Sequence, residues 1–343
     1  MKVNQFPDRI IEIDHDKYLY FGGTSYLGLP TNPDFQQLLI KNIVQWGTAY
    51  GSSRNANIQL TAYEEGEHFL ARYINADAAL TVSSGMLAGK LVIEALIPQT
   101  DCFFHFPEAH PAIKAPNSLP FFIGKQVHPR LLDSISEKIT ILTDAVPSLH
   151  IAPIDLSFLN SIPSHKEITL IIDESHSLGI LGANGSGLFS TIHMPHIKRK
   201  IMVASLGKAF GLTGGVIASD YSFLNQMREL DTFVSSAGMN AAFVQTLSDA
   251  EELYYTQHQK LKDNLQYIDL HLVKNKAVAF NPDYPVIYPE TEGINEIFEA
   301  NKIIVTNFKY PTDIKNLNRI VITANHTKED LNTLISVLNS YQF

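Results

Sequence analysis

The sequence has little cysteine, no long apolar run and no surplus of positive charge. A single cysteine, Cys102, excludes a disulfide framework within the chain and fits a reducing compartment. No run reaches the roughly 18 apolar residues of a membrane-spanning helix, and residues 1–21 lack the apolar core of a signal peptide. The net charge is -9 without a basic cluster, which argues against a nucleic-acid partner. We therefore expect a cytoplasmic protein with no membrane or nucleic-acid partner.

Short apolar runs alternate with helical patterns over most of the chain. Continuous apolar runs of this length are typical of strands buried on both faces, as in parallel sheets. The runs are ALTV (79–82), CFFHF (102–106), ITILT (139–143), ITLIID (168–173), IMVASL (201–206) and GVIAS (215–219). Between two of them, MLAGKLVIEAL (86–96) has helical spacing. The alternation predicts an α/β fold with a mostly parallel central sheet and helices on both faces.

The C-terminal part has a different pattern. Residues 244–265 are predicted to form one long helix, and RIVITA (319–324) a strand. The residues from Thr327 to Asp330 then have the form of a capping box, opening a helix with Leu331, Leu334, Ile335 and Leu338 on one face. This order predicts a smaller α+β domain. The expected divisions are an N-terminal arm (1–35), a large domain (36–253) and a small domain (254–343).

Lys208 stands out in IMVASLGKAFGLTGG (201–215), just past a predicted buried strand. Ligands gather at strand ends in open α/β sheets. An amine buried there can lose its proton near neutral pH and act as a nucleophile that forms Schiff bases. The alternative is a lysine that extends into solvent from a loop.

Asp173 and His176 lie in LIIDESHSLGILGANGSG (170–187), where an apolar strand ends. They could be metal ligands, although no third ligand stands at a telling spacing. They could instead bind a cofactor ring, with the carboxylate holding a proton on a ring nitrogen. The plainest alternative is a capping aspartate beside a surface histidine.

A possible anion site lies in TVSSGMLAGK (81–90), where a Ser-Ser-Gly turn joins a strand to a helix. Backbone N–H groups at a helix start bind phosphate, so Ser84, Gly85 and Met86 are candidates, although capping serines are common. The Walker signature is absent, and no G-x-G-x-x-G follows an early strand. His110, in a loop after a strand, could stack on a flat ring or simply be solvated. Arg319 enters an apolar strand, where its partner could be a substrate carboxylate or a structural acid.

Together these candidates describe an enzyme that uses pyridoxal phosphate on an amino acid. The sequence resembles the α-oxoamine synthase family of fold-type I pyridoxal phosphate enzymes, which are similar in fold to aspartate aminotransferase. The resemblance runs from about Tyr18 to Leu338. It rests on TSYLGL (24–29), WGTAYGSSR (46–54), SSGMLAG (83–89), the DESH block (173–176), SLGKAFGLTGG (205–215) and RIVITANHTKED (319–330). The DESH block stands 35 residues before the lysine, which makes the combination specific.

The resemblance implies a role for each candidate. Lys208 would attach the cofactor as a Schiff base, and Asp173 would pair with the pyridine nitrogen. His110 would stack on the ring. The remaining roles are ring-hydroxyl contacts from His176 and Ser148, phosphate contacts from Ser84, Gly85, Met86 and Ser205, a phosphate contact to the neighbouring subunit from Ser236, and substrate-carboxylate binding by Arg319. The resemblance thus implies a homodimer with shared active sites, acting on an amino acid and an acyl-CoA.

Departures from the family pattern cluster on the substrate side. Thr24 and Ser25 replace a family asparagine, Tyr63 replaces a histidine, and Met239 with Asn240 replaces a proline pair. A Met-Asp-Gly-Asp element is also shortened, and the chain is about fifty residues shorter than is usual in the family. The first functional hypothesis is therefore an α-oxoamine synthase that condenses a small amino acid with an acyl thioester. Alternatives are an aminotransferase on the same scaffold, a non-catalytic binding protein and a metal hydrolase.

Overall fold

The computed structural model of the protein describes residues 1–273, 278–289, 293–308 and 317–340. Internal contacts divide the chain into two compact units. The larger unit comprises residues 37–208 and 212–251, and the smaller unit comprises residues 1–36, 209–211 and 252–343. The three-part division expected from the sequence stays a prediction.

The secondary structure follows the alternation that the sequence predicts. The strands are β1 (Ile10–Ile13), β2 (Asp16–Phe21), β3 (Ala78–Val82), β4 (Cys102–His105), β5 (Leu119–Pro120), β6 (Phe122–Ile123), β7 (Gln126–Val127), β8 (Lys138–Asp144), β9 (Glu167–Asp173), β10 (Ile197–Ser205), β11 (Gly215–Ser219), β12 (Val278–Phe280), β13 (Val286–Pro289), β14 (Ile303–Phe308) and β15 (Leu317–Val321). The helices are α1 (Pro33–Trp46), α2 (Thr61–Ile74), α3 (Gly85–Leu96), α4 (Pro129–Leu132), α5 (Tyr221–Arg228), α6 (Asp231–Ser235), α7 (Ala241–Asp249), α8 (Glu251–His271), α9 (Ile294–Ala300) and α10 (Lys328–Ser340).

A seven-stranded sheet forms the centre of the larger unit, in the order β3-β11-β10-β9-β8-β4-β5. The strands β10, β9, β8, β4 and β5 pair in parallel, while β11 is antiparallel to both of its neighbours. Each of the six predicted apolar runs lies largely on one of these strands. The run at β11 is as apolar as the parallel ones because all five of its residues are buried. An apolar run therefore reports burial on both faces and not the direction of a strand.

The core of the larger unit lies where α3 packs on β3, β10 and β11. Helix α3 is apolar around most of its circumference, with Leu91 and Val92 fully buried. Facing residues on the sheet include Leu80, Ile171, Ile201 and Ile217. Since this packing fixes α3 against the strands, it also fixes the position of the helix start, which is the predicted phosphate turn.

The prediction of one helix over 244–265 is wrong. Helix α7 ends at Asp249 and α8 begins at Glu251, with Ala250 between them at φ -98° and ψ 14°. Leu247, Ala250 and Tyr254 are all buried, so the apolar spacing continues across the break. The hydrophobic pattern alone therefore gave no sign that the helix is interrupted.

The smaller unit contains a six-stranded sheet in the order β1-β2-β14-β15-β13-β12, in which only β2 and β14 pair in parallel. The predicted capping box is confirmed. The Thr327 N–H donates to Asp330 Oδ2 at 2.9 Å, and the Asp330 N–H donates to Thr327 Oγ1 at 3.3 Å. The four predicted apolar positions of α10 are buried. Within the described ranges, the helices include none with both the length and the apolar character needed to cross a membrane.

Candidate active site

A cavity of about 250 Å³ lies in the larger unit at the carboxyl ends of β8, β9 and β10. It is lined by Ser84, Gly85, Met86, His110, Ala112, Asp144, Asp173, Ser175, His176, Ser205 and Lys208. Two larger cavities in this unit, of about 460 and 830 Å³, are lined by none of the predicted site residues. The small cavity therefore gathers eight residues that the sequence singles out from four separate segments.

Lys208 is half-buried and its amine contacts His176. The Lys208 Nζ lies 2.8 Å from His176 Nε2, which is hydrogen-bond distance. The two residues are 32 positions apart in sequence, on the turns that follow β10 and β9. The contact places the lysine amine at the cavity, beside His176. The role of Lys208 as the site of cofactor attachment stays a prediction.

Asp173 is the last residue of β9 and its side chain is buried, at 7 % exposure. Its Oδ1 accepts the N–H of Ser175 at 2.8 Å. Ser175 Oγ in turn accepts the N–H of Ser205 at 2.8 Å, and Ser205 Oγ accepts the N–H of Gly207 at 3.3 Å. This chain of hydrogen bonds ties the ends of β9 and β10 together, directly beside the lysine.

The predicted phosphate turn has the geometry of a helix start. Ser84 is the N-cap of α3, and its Oγ accepts the Leu87 N–H at 3.1 Å. The first N–H groups of a helix have no partner inside the helix, and they favour an anion. The turn also packs tightly on the sheet, since a Cβ on Gly85 would lie 2.9 Å from the Ser205 Cα. Ser205, the second predicted phosphate residue, is thereby brought next to the turn.

His110 lies at the cavity on a turn that is tied at two points. Its backbone N–H donates to Asp144 Oδ1 at 3.0 Å, and its Nδ1 accepts the Ala112 N–H at 3.2 Å. Burial is the main cause that lowers the pKa of His110, with Asp173 acting in the opposite direction. A neutral ring with Nδ1 accepting carries its proton on Nε2.

Three predicted site residues do not line this cavity. Ser148 is half-buried on the turn after β8. Ser236 donates its hydroxyl to the Thr232 carbonyl at 2.5 Å. Arg319 belongs to the smaller unit, where it lies on β15 and is buried at 8 % exposure. Its positive charge acts on the phenols of Tyr20 and Tyr284, whose pKa values it lowers against the larger effect of burial. The roles that the resemblance implies for these three residues stay predictions.

Three residues that line the cavity are not among the predicted ones, and two of them, Asp144 and Ser175, have polar side chains. Asp144 ends the apolar run of β8 as Asp173 ends that of β9, and the two aspartates are register partners. That repeated strand-end acid was the signal that could have identified Asp144. Ser175 stands where the family has alanine, so the resemblance itself directed attention away from it.

The described residues include no set of metal ligands to which Asp173 and His176 belong. In the part of the chain that the structure describes, no group of three or more His, Cys, Asp or Glu side chains is arranged to hold a metal ion. His176 contacts the lysine amine, and Asp173 accepts a backbone N–H.

Two of the departures from the family pattern, Tyr63 and Met239, contact each other. Tyr63 donates its hydroxyl to the Met239 carbonyl at 2.8 Å, and the guanidinium of Arg54 lies 4.0 Å from the centre of its ring. Arg54 also bonds Glu67 at 2.7 Å. Asn240 caps α7 through Oδ1, which accepts the Ala242 N–H at 2.8 Å. Tyr63 and Asn240 thus have roles in packing and helix capping that account for their presence.

Glu174, next to Asp173, is buried with no exposure and anchors the loop after the site. Its carboxylate accepts the N–H groups of Leu188 and Phe189, the latter at 2.5 Å, and the hydroxyl of Ser177 at 2.6 Å. Burial raises the pKa of Glu174 to about 7, against these hydrogen bonds, which lower it.

Replacing Glu174 with glutamine is expected to remove a pH-dependent loss of stability. Between about pH 4.5 and 7 the folded wild-type chain keeps a proton on Glu174 that the unfolded chain has lost. Wild-type stability therefore falls relative to Glu174→Gln as the pH rises through this window, by on the order of 3 kcal/mol. Denaturant unfolding at pH 4.5 and pH 8 measures the difference. The exposed Glu64→Gln is the control, and equal pH slopes for wild type and Glu174→Gln would contradict the expectation.

Gly215→Ala is expected to displace the phosphate turn. A Cβ at Gly215 would lie 2.3 Å from the Ser84 carbonyl oxygen and 2.7 Å from the Gly85 nitrogen. Overpacking of this kind costs roughly 1–3 kcal/mol, and we expect pyridoxal phosphate affinity to fall by about tenfold. Fluorescence titration of the apoprotein measures the affinity. Gly51→Ala is the control, because its Cβ would meet nothing within 4 Å. Wild-type affinity in Gly215→Ala would mean that the turn tolerates displacement.

Comparison with known proteins identifies the family. Residues 154–338, more than half of the chain, match the model of the family "Aminotransferase class I and II". Among curated proteins, the chain is 28% identical to 8-amino-7-oxononanoate synthase of Petrotoga mobilis, covering 95% of this chain and 88% of that protein. It is 25% identical to a putative 8-amino-7-oxononanoate synthase of Rippkaea orientalis, covering 98% and 93%.

Solved structures agree on the fold. Serine palmitoyltransferase of S. paucimobilis, solved with a PLP–myriocin aldimine, has a TM-score of 0.81 at 17% identity, covering 99% of this chain and 91% of that one. The 8-amino-7-oxononanoate synthase of Francisella tularensis has a TM-score of 0.70 at 21% identity, covering 94% and 97%. The predicted fold class, resemblance and cofactor are confirmed. The chain therefore belongs to the aminotransferase class I and II family, on its α-oxoamine synthase branch, and is an enzyme that uses pyridoxal phosphate.

Proposed function

We propose that the protein is an α-oxoamine synthase, which joins the Cα of a small amino acid to the acyl group of an acyl-CoA. The observation that carries the proposal is the 2.8 Å contact between Lys208 Nζ and His176 Nε2, in the cavity that Asp173 and the Ser84–Met86 turn also line. A phosphate-binding turn, a buried carboxylate and a lysine amine at one cavity form the donor set that fits pyridoxal phosphate.

Six of the residues that line the cavity would bind the cofactor directly. The Ser84–Met86 turn and Ser205 would hold its phosphate. Asp173 would keep a proton on the ring nitrogen, and Lys208 would attach the cofactor through its amine. When bound, pyridoxal phosphate acts as an electron sink that stabilises negative charge at the substrate Cα.

Lys208 is also the proposed base. Its amine, held at the cavity, would take the proton from the Cα of the bound amino acid. His176 Nε2 lies at hydrogen-bond distance from Nζ, and this contact holds the amine at the cavity. The Cα–acyl bond would form as the thioester C–S bond breaks and the thiolate leaves. The bond from Cα to the carboxyl carbon would then break with release of CO₂, and the proton held on Lys208 would return to Cα.

We further propose that the enzyme works as a homodimer in the cytoplasm. Ser236 does not line the cavity of its own chain, and its hydroxyl bonds Thr232. A phosphate contact from Ser236, as the resemblance implies, would therefore reach the site of a second copy. The single cysteine, Cys102, is buried, which fits a reducing compartment.

The reaction is tested by release of thiol and CO₂. Purified holoenzyme is incubated with carboxyl-labelled glycine, alanine or serine and with acyl-CoAs of increasing chain length. We expect free CoA and labelled CO₂ in equal amounts, only when both substrates are present. Lys208→Ala is expected to abolish both and to leave no cofactor fixed to the chain by borohydride. Lys198→Ala, at an exposed lysine on β10, is the control.

Other outcomes identify the alternatives. Amino transfer to a keto acid without release of CoA from any acyl-CoA would establish the aminotransferase instead. If borohydride fixes no cofactor to the wild type, and Lys208→Ala changes nothing, the chain is a binding protein that has kept the fold.

Arg319→Ala is expected to raise the KM for the amino acid. Loss of a buried cation that pairs with a carboxylate costs about 2–5 kcal/mol, which corresponds to roughly 30-fold or more in KM. Arg319→Lys keeps the positive charge but cannot form the paired hydrogen bonds of a guanidinium. Its KM should therefore lie between those of the wild type and Arg319→Ala. Steady-state kinetics measure the effect, with the exposed Lys302→Ala as the control. An unchanged KM with lowered stability would assign Arg319 a structural partner.

A further inference from the structure

Two buried aspartates end neighbouring strands at the same level. Asp144 closes β8 and Asp173 closes β9, and the parallel pairing of these strands makes them register partners. Side chains of register partners point to the same face of a sheet, and neighbouring strands lie about 4.8 Å apart. Asp144 is 4 % exposed and Asp173 is 7 % exposed, and both line the cavity.

Asp144 holds the turn that carries His110. Its Oδ1 accepts the His110 N–H at 3.0 Å across 34 residues of sequence. The ring of His110 is fixed to the same turn, because Nδ1 accepts the Ala112 N–H. Loss of the Asp144 acceptor would therefore release the backbone of His110 and leave a partly buried N–H without its partner.

The charges around Asp144 favour its neutral form. The titratable groups in its surroundings are Glu108, His110, Asp173, His176 and Lys208. Two buried carboxylates side by side do not ionise together without a large cost. Burial and the charge of Asp173 raise the pKa of Asp144 well above its ordinary value, and the His110 N–H and Lys208 only partly oppose them.

Asp173 is the carboxylate proposed to hold a proton on the cofactor's ring nitrogen. We propose that Asp144 is a positioning residue in its protonated form, which holds the His110 turn at the cavity beside Asp173. This inference rests on the proposed function for the identity of the cofactor. Its hydrogen bond and its protonation state belong to the apoprotein as well.

Asp144→Asn and Asp144→Leu separate the alternatives. Asparagine has the shape of the protonated acid, and its oxygen can still accept the His110 N–H, whereas leucine cannot. We expect Asp144→Asn to bind pyridoxal phosphate with a Kd within about threefold of the wild-type value. The absorbance of the bound cofactor should change at the same pH in this variant as in the wild type. We expect Asp144→Leu to bind at least tenfold more weakly. An equal loss in both variants would mean that the Asp144 charge is required, and no loss in either would mean that Asp144 does not position His110.

The apoprotein gives a readout that needs no cofactor. Wild-type Asp144 keeps a proton in the folded state that the unfolded chain loses above the ordinary aspartate pKa, so wild-type stability falls relative to Asp144→Asn as the pH rises above about 4. Melting temperatures measured from about pH 4 upward give the gap, which should widen with pH. Parallel curves would overturn the proposed protonation state. If the wild type binds no pyridoxal phosphate, the proposed function fails, while this apoprotein comparison still decides the state of Asp144.

Discussion

The in-register parallel pairing of β8, β9 and β10 is the constraint on which the site depends. Parallel strands bring their carboxyl ends to one edge of a sheet. Asp144, Asp173 and Ser205 are the last residues of these three strands. Segments separated by about thirty residues along the chain therefore meet at one cavity. Lys208 follows β10 by three residues and reaches His176, which follows β9 by the same number.

This arrangement also explains why eight residues of the cavity could be predicted from the sequence. A strand buried on both faces is an apolar run, and a functional side chain at its end is the first polar residue after it. Asp173 and Lys208 are both found by this rule, and Ser84 to Met86 by the turn that follows β3. The same rule applies to Asp144, which ends β8 one residue beyond the apolar run ITILT (139–143).

The features that the sequence did not reveal are set by distant packing. The break between α7 and α8 at Ala250 interrupts neither the apolar face nor the helix-favouring composition, and no glycine or proline marks it. The bond from Tyr63 to the Met239 carbonyl joins residues 176 positions apart. Ser175 accepts the N–H of Ser205 on another strand. Each of these depends on which segments the fold brings together, and local pattern carries no information about that.

The residues of the cavity and the departures from the family pattern differ in how tightly the backbone constrains them. At the cavity, a Cβ on Gly85 or Gly215 would collide with neighbouring chain, so the residue types are dictated by close approach. At the departures from the family pattern, side chains such as Tyr63, Arg54 and Glu67 satisfy one another. Side chains that form their hydrogen bonds within one cluster can be replaced together without disturbing the residues of the cavity. The motifs therefore predict the proposed chemistry at Cα. The amino acid and the acyl group would be selected by residues outside the motifs.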